Sequence, residues 1–310
     1  MSPPLGEEEP MEGSIRDPDT SSVVVGVDGS QSARDAAQWA SAEAARRGRP
    51  LHLVHAVDTD GRAFHLSAAS VEQVRRAGSE LLEETAAAIT AEHPELHLTT
   101  EFSRSDPVTA LHRAAGLHST IVVGNRGLGG FNSLMLGSVS LRTAAGAMTP
   151  LIVVRGVEDG AEAGVVLAAV RDELDLGCAR YAAREAELRK VSLRLLHVWN
   201  ALQSVGNVVS MLDNIEEIAD GYVERLKAIA EEIRGEYPGL TVHADAEKSI
   251  SVAGVLVEAS HHAGLLVMGG RRSPGYIGPS LGHITHSLVH HAHCPVLLFP
   301  RHGQELRRKS

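Results

Sequence analysis

The feature that most constrains the fold is a pattern written twice. The run Pro150-Leu151-Ile152-Val153-Val154 returns as Pro295-Val296-Leu297-Leu298-Phe299, and Leu51–Ala56 returns as Leu193–Val198. Gly164–Val170 repeats the apolar run at Ser22–Val27, and Leu265–Met268 repeats Ile121–Val123. The period is about 143 residues, the size of a whole domain and far longer than a solenoid repeat. A chain of 310 residues is long enough for two such units, each with its own core.

Each copy alternates short β-branched runs with longer amphipathic stretches. In the first, Ser22–Val27 reads as a buried strand that ends in the polar turn Asp28-Gly29-Ser30. Ser32–Arg47 reads as a helix, with Ala36, Ala37, Ala40 and Ala44 on a small apolar face, stopped by Gly48. Leu51–Val57 is a second strand, about Ser67 to Glu92 a long helix, and Leu96–Phe102 a third strand. Asp106 and Pro107 open the next helix as cap and first-turn proline, and it ends near Gly116. Ser119–Val123 and Leu151–Val154 are the last strands. In the second copy, Asp213–Gly235 and Ser251–His262 read as helices and Leu240–Ala246 as a strand. Strands alternating with helices predict an α/β chain of two tandem, open, doubly wound, five-stranded parallel-sheet domains of Rossmann-like form. Aromatic residues make up only 3% of the chain, which suits small helices packed on Val-rich sheets. The expected boundaries are an acidic, disordered tail at 1–20, a domain at 21–156, a linker at 157–162, a domain at 163–301 and a tail at 302–310.

The stretch Gly124-Asn125-Arg126-Gly127, which runs on to Gly137-Ser138, stands between a predicted strand and the predicted helix that begins Val139-Ser140-Leu141. Helix N-termini carry unpaired N–H groups and positive dipole ends, and glycines let backbone approach an anion. Arg126 adds a cation with a planar fork of donors. Ser138 is positioned to cap the helix or to donate to a phosphate oxygen. Gly, two residues, Gly, nine residues, Gly-Ser is neither the P-loop spacing nor the dinucleotide fingerprint, and no Lys-Ser/Thr pair closes it. Taken alone, the spacing is equally compatible with a flexible surface loop before an ordinary helix.

That spacing resembles the ATP-binding motif of the universal stress protein family, complete from Gly124 to Ser138. Val27-Asp28-Gly29-Ser30 resembles the family's first-strand turn, and the likeness extends from about Ser22 to Pro300. The resemblance implies an adenine nucleotide α-hydrolase-like fold, with ATP as the ligand, carried as its magnesium complex. It implies that Val27, Asp28 and Ser30 meet the nucleoside, that Ala56 and Val57 line the adenine pocket, and that Gly124, Arg126, Gly127, Gly137, Ser138, Val139 and Ser140 surround the phosphates. It also implies a role in stress, dormancy or growth control, a protein partner yet to be identified, and pairing of domains through their last strands. Leu151–Val154 is expected to pair with Val296–Phe299 inside the chain, or with a second copy in a homodimer.

The second copy is altered where phosphate binding needs it intact. Gly124 aligns with Gly269 and Gly137 with Gly282, but Gly127 aligns with Arg272 and Ser138 with His283. The Asp28 position falls on Val170 or Arg171, depending on a one-residue gap. The second domain is therefore expected to bind ATP weakly or not at all, although Arg271 and Arg272 leave an anion-friendly spot.

Charge and cysteine usage narrow the remaining classes. The formal charge is −10, and a net −5 of it comes from Glu7, Glu8, Glu9, Glu12, Asp17 and Asp19 against Arg16. An acidic body without a basic stripe argues against nucleic acid. No apolar run reaches the roughly 20 residues that cross a bilayer. Cys178 and Cys294 lack zinc or redox spacing, and the acidic N-terminus is unlike a signal peptide, so a cytoplasmic location is expected. His283, His286 and His290 share a helical face. That spacing admits a zinc or nickel site, or an ordinary variable surface, and no metal is assigned to it. His52, His55 and His197 read as sheet-packed. The leading functional reading is a nucleotide-dependent regulator without catalytic residues. The alternatives are a slow ATPase or other nucleotide-using enzyme, and an interaction module with relict sites.

Overall fold

The computed structural model describes residues 21–60, 67–127, 137–155, 164–200, 215–270 and 281–300. The first half contains β1 (Val23–Gly26), α1 (Gln31–Arg47), β2 (Leu51–Ala56), α2 (Ala68–Glu92), β3 (Leu98–Ser103), α3 (Pro107–Ala115), β4 (Thr120–Gly124), α4 (Ser138–Gly146) and β5 (Leu151–Val154). The second contains β6 (Val165–Ala169), α5 (Leu176–Arg189), β7 (Ser192–Trp199), α6 (Ile215–Glu236), β8 (Val242–Lys248), α7 (Val252–Ala259), β9 (Leu265–Gly269), α8 (His283–His291) and β10 (Val296–Phe299). Short 3-10 turns at Glu173–Asp175 and Ser260–His262 precede α5 and follow α7. The second turn corrects the expected helix over Ser251–His262, which tightens after Ala259 where the Ser260 hydroxyl bonds back to Val257 O.

The strands form one ten-stranded sheet in the order β3-β2-β1-β4-β5-β10-β9-β6-β7-β8. Within each half every pairing is parallel. The halves meet where β5 and β10 pair antiparallel, Ile152 opposite Leu297. This is the internal one of the two last-strand pairings that the family resemblance implies. It fuses two edges that would otherwise be open to other chains.

Alternation along the central strands feeds two cores, one on each face of the sheet. Val23, Val25, Leu53, Val122, Ile152, Val166, Leu195, Val267 and Leu297 face α1, α2, α5 and α6. Val24, Ile121, Val123, Leu151, Val153, Leu167, Leu266, Val296 and Leu298 face α3, α4, α7 and α8. Both cores run through the seam. The alanines of α1 keep that helix close to the sheet, and Ala36, Ala40 and Ala44 are fully buried.

A buried ionic ring crosses the seam between α1 and α5. Arg47 bonds Glu43 Oε1 at 2.7 Å and Glu185 Oε1 at 2.8 Å, and Arg189 bonds Glu43 Oε2 at 2.7 Å and the Glu185 carboxylate. Arg46 also pairs with Glu43. Burial pushes the Glu43 carboxyl up to about 7, and Arg189 offsets only part of this. Burial acts the same way on Glu185, but the charges of Arg47 and Arg189 outweigh it and hold that carboxyl below its ordinary value.

Candidate functional site

β1 and β4 are neighbours, Val25 opposite Val122, so the turn after β1 and the loop after β4 leave the sheet side by side. Asp28 Oδ1 accepts the Ser30 N–H at 3.0 Å, closing a tight turn in which Gly29 has φ +86°. Ser30 then caps α1, its hydroxyl oxygen accepting the Ala33 N–H at 3.1 Å. The same hydroxyl reaches the Arg126 carbonyl at 3.4 Å.

Ser32, in the first turn of α1, ties the two loops together. Its hydroxyl donates to Asn125 Oδ1 at 2.6 Å and accepts the Arg126 N–H at 3.1 Å. Contact this close explains two of the glycines. A Cβ on Gly124 would lie 2.5 Å from the Ser32 carbonyl oxygen, and one on Gly127 would lie 2.6 Å from Asp28 Oδ2. Asn125 O accepts the Gly137 N–H at 2.9 Å, so residues on both sides of the motif converge.

Gly137 is the N-cap of α4 and offers no side-chain bond to the helix. The first-turn N–H groups of Ser138, Val139 and Ser140 have no intrahelical carbonyl to meet. Ser138 occupies the first helical position, exposed, so of its two expected roles capping is corrected: the cap position belongs to the residue before it. Ser140 is corrected in part. Its buried hydroxyl donates to Gly124 O at 2.6 Å, so that group anchors α4 to β4 and leaves only the backbone for an anion.

On the other flank, His55 Nδ1 donates to Val27 O at 2.7 Å. Ala56 and Val57 continue the row at the end of β2. The Val57 N–H is committed to Ser103 O at 3.0 Å, so this residue offers a base no backbone donor. The sequence-predicted residues thus form a continuous band along the ends of β2, β1 and β4 to the start of α4. Residues 128–136 of the motif lie outside the described residues.

Sequence reasoning missed three contributors. Ser32 gave no signal beyond an ordinary first-turn serine. Arg155, just past β5, joins Arg126 along a cavity of about 500 Å³ whose wall also includes Asp35 and, from the second half, His293. Burial, together with the charge of Arg126, lowers the Arg155 guanidinium below its ordinary value. A half-buried Arg155 beside the charge of Arg126 makes this end of the cavity suited to an anion. His293 reaches this wall only because β5 pairs with β10.

The second half repeats the frame and changes the chemistry. His197 Nδ1 donates to Val170 O at 2.8 Å, as His55 does to Val27 O. This register resolves the one-residue ambiguity: Arg171, not Val170, stands where Asp28 stands. Its side chain turns to Asp172 at 2.9 Å, and its N–H is held by Asp175 Oδ2 at 2.9 Å. The exposed His283 begins α8 as Ser138 begins α4. Arg271 and Arg272 lie outside the described residues, as do the tails at 1–20 and 302–310 and the expected linker at 157–162. Among the described residues no three His, Cys, Asp or Glu side chains converge as metal ligands. His286 and His290 instead pack ring to ring, with centroids 4.3 Å apart.

A profile of the universal stress protein family matches residues 20–155 and again residues 164–300. A universal stress protein of Mycolicibacterium smegmatis is 27% identical over 286 residues, covering 89% of this chain and 96% of that protein. A universal stress protein of Mycobacterium tuberculosis is 27% identical over 288 residues, covering 92% of this chain and 98% of its own. Among solved structures, a universal stress protein from Archaeoglobus fulgidus superposes with a TM-score of 0.67 at 18% identity. That alignment covers 90% of this chain and 98% of the other. No helix among the described residues is long and apolar enough to cross a membrane.

Proposed function

The chain belongs to the universal stress protein family, and we propose that it is a nucleotide-dependent regulator that binds ATP in its first domain only. The observation that carries this reading is the docking of the Gly124–Gly127 loop on Asp28 and Ser32, beside the uncapped N-terminus of α4. Asp28 and Ser30 would meet the nucleoside, with Ala56 and Val57 beside the base. The backbone at Gly124–Gly127 and at Ser138–Ser140 would hold the phosphates, with Arg126 as counter-charge and magnesium carried by the triphosphate. Arg155 extends the cationic end toward the seam. The second domain lacks the carboxylate at Arg171 and so would not hold the same nucleoside.

Nucleotide occupancy would fix the loop after β4 where it meets the wall that holds His293, so the surface at the seam would report the bound state. This is regulation through a population shift, and it needs no turnover. A homodimer of chains in the cytoplasm is compatible with this mechanism but is not required by it.

The test is nucleotide released from the purified, denatured protein, beside Asp28→Ala and Gly127→Arg variants. We expect roughly one ATP per chain, lost in both variants while their melting temperatures stay within a few degrees of wild type. Roughly two per chain would refute single-domain binding, and none, even with ATP added, would refute the reading altogether. A turnover assay with Arg126→Ala as control separates slow hydrolysis from simple binding.

A further inference from the structure

The second domain has a cavity of about 650 Å³ at the carboxyl ends of β6, β7 and β9, where the first domain carries its candidate nucleotide site. Its walls are of a different kind. The chain has only two tryptophans and four tyrosines, and one of each stands here. Tyr222 of α6 packs on His197 with ring centroids 4.6 Å apart and on Trp199 at 5.4 Å. Val170, Leu256 and Met268 add apolar surface.

One polar atom among these walls is unsatisfied. His197 is 4% exposed, and its Nδ1 must carry the proton donated to Val170 O. Nε2 is therefore an acceptor, buried and without a hydrogen-bond partner. Burial also lowers the basicity of this ring, outweighing the hydrogen bond to Val170 O, which acts the other way. A buried acceptor left unmade is costly, and a ligand that supplies a donor recovers that cost.

Among the described residues, the wall differs in charge from the first domain's candidate site, where Arg126 stands. Asp175 lines the cavity, is 2% exposed, and bonds the Arg171 N–H. Arg171 spends its side chain on Asp172. The volume lies in the range typical of small-molecule sites, which are mostly apolar with a few placed polar groups.

We propose that this cavity binds an uncharged, planar ring compound of one or two fused rings that stacks against Tyr222 and Trp199 and donates a hydrogen bond to His197 Nε2. Such a ligand shares the topological position of the nucleotide but none of its phosphate chemistry. This inference does not depend on ATP binding in the first domain.

The test uses indole, which has a ring N–H, and benzofuran, which has the same shape without it. Binding to the full chain is measured by calorimetry and ligand-observed NMR. We expect indole to bind about tenfold or more tightly than benzofuran, the ratio set by the one recovered hydrogen bond. The preference should vanish in His197→Phe, and Tyr222→Ala should weaken both ligands. If His197→Phe fails to fold, the wild-type comparison and Tyr222→Ala, on a half-buried position, still decide. Equal affinity for the two probes, no indole binding at millimolar concentration, or displacement of indole by equimolar ATP would each overturn the proposal.

Discussion

Replacing Arg47 by Met tests whether the ionic ring at the seam holds the two halves together. The Arg47 side chain is almost completely buried and bonds Glu43, Glu185, Thr120 and Tyr181. Methionine fills much of its volume, so the loss is electrostatic rather than a cavity. Thr120 and Tyr181 keep a hydrogen bond to each other. Arg189 still reaches both carboxylates, and Arg46 still reaches Glu43. Breaking a buried pair costs about 3–5 kcal/mol, and the surviving guanidiniums put this case at the lower end, about 3 kcal/mol. For a chain of this length that corresponds to a fall of about 5 °C in Tm. A matched surface control is Arg75→Met, which frees Glu72 at a site where both partners are about half exposed. It should leave the stability essentially unchanged, because both charges are already solvated. The assay is urea unfolding, followed by far-UV circular dichroism and by tryptophan fluorescence, whose coincidence tests for a single transition. Proton uptake by Glu43 relieves the uncompensated charge, so the Arg47→Met penalty should be smaller at pH about 5.5 than at about 8. A loss indistinguishable from the Arg75 control would refute the reasoning. It would mean that the ring is solvated or that its charges are not coupled across the seam.

Further outcomes follow from the same structure. Glu43 holds its proton to about pH 7 in the fold, against an ordinary value of 4.5, so its burial penalty is absent below pH 4.5 and grows as pH rises to about 7. Glu185 acts with the opposite sign, adding stability above pH 4.5 that is lost as pH falls. Glu43→Gln should therefore gain on wild type as pH rises through that window, and an unchanged difference in Tm across it would refute the assignment. Lys190 caps α5 in the left-handed region at φ 56°, bonding Ala186 O and Glu187 O as Gly48 (φ 61°) bonds Ala44 O and Ala45 O. Lys190→Gly should stabilise by up to about 1 kcal/mol in urea unfolding, and a loss of stability would show that the lysine side chain contributes more than its strain costs. Cys178 and Cys294 are buried, and burial pushes the Cys294 thiol up to about 12. Neither should react with iodoacetamide at pH about 8 until urea unfolds the chain, and rapid alkylation of the native protein would contradict the packing.

The sequence by itself determined the architecture of each half. Runs such as Val23–Val25 and Leu151–Val154 are apolar at every position because both faces of a central parallel strand are covered, and that is legible without coordinates. Caps with a local cause were equally plain: Asp106 before Pro107, and Gly48 after α1. The spacing from Gly124 to Ser138 marked the candidate site, because close backbone approach demands glycine and local sequence records that demand. Other features depended on partners distant in the chain. The role of Ser32 exists only because β1 lies beside β4. Arg155 and His293 share a wall only because β5 pairs antiparallel with β10, and Glu43 meets Arg189 for the same reason. The choice between Val170 and Arg171 was undecidable from a gapped alignment, and the His197 hydrogen bond to Val170 O settled it. The aromatic cavity of the second half was hidden because Trp199 and Tyr222 are separated along the chain and have no motif. Local chemistry is written in consecutive residues, whereas a pocket or a seam is a long-range juxtaposition fixed only when the whole sheet closes.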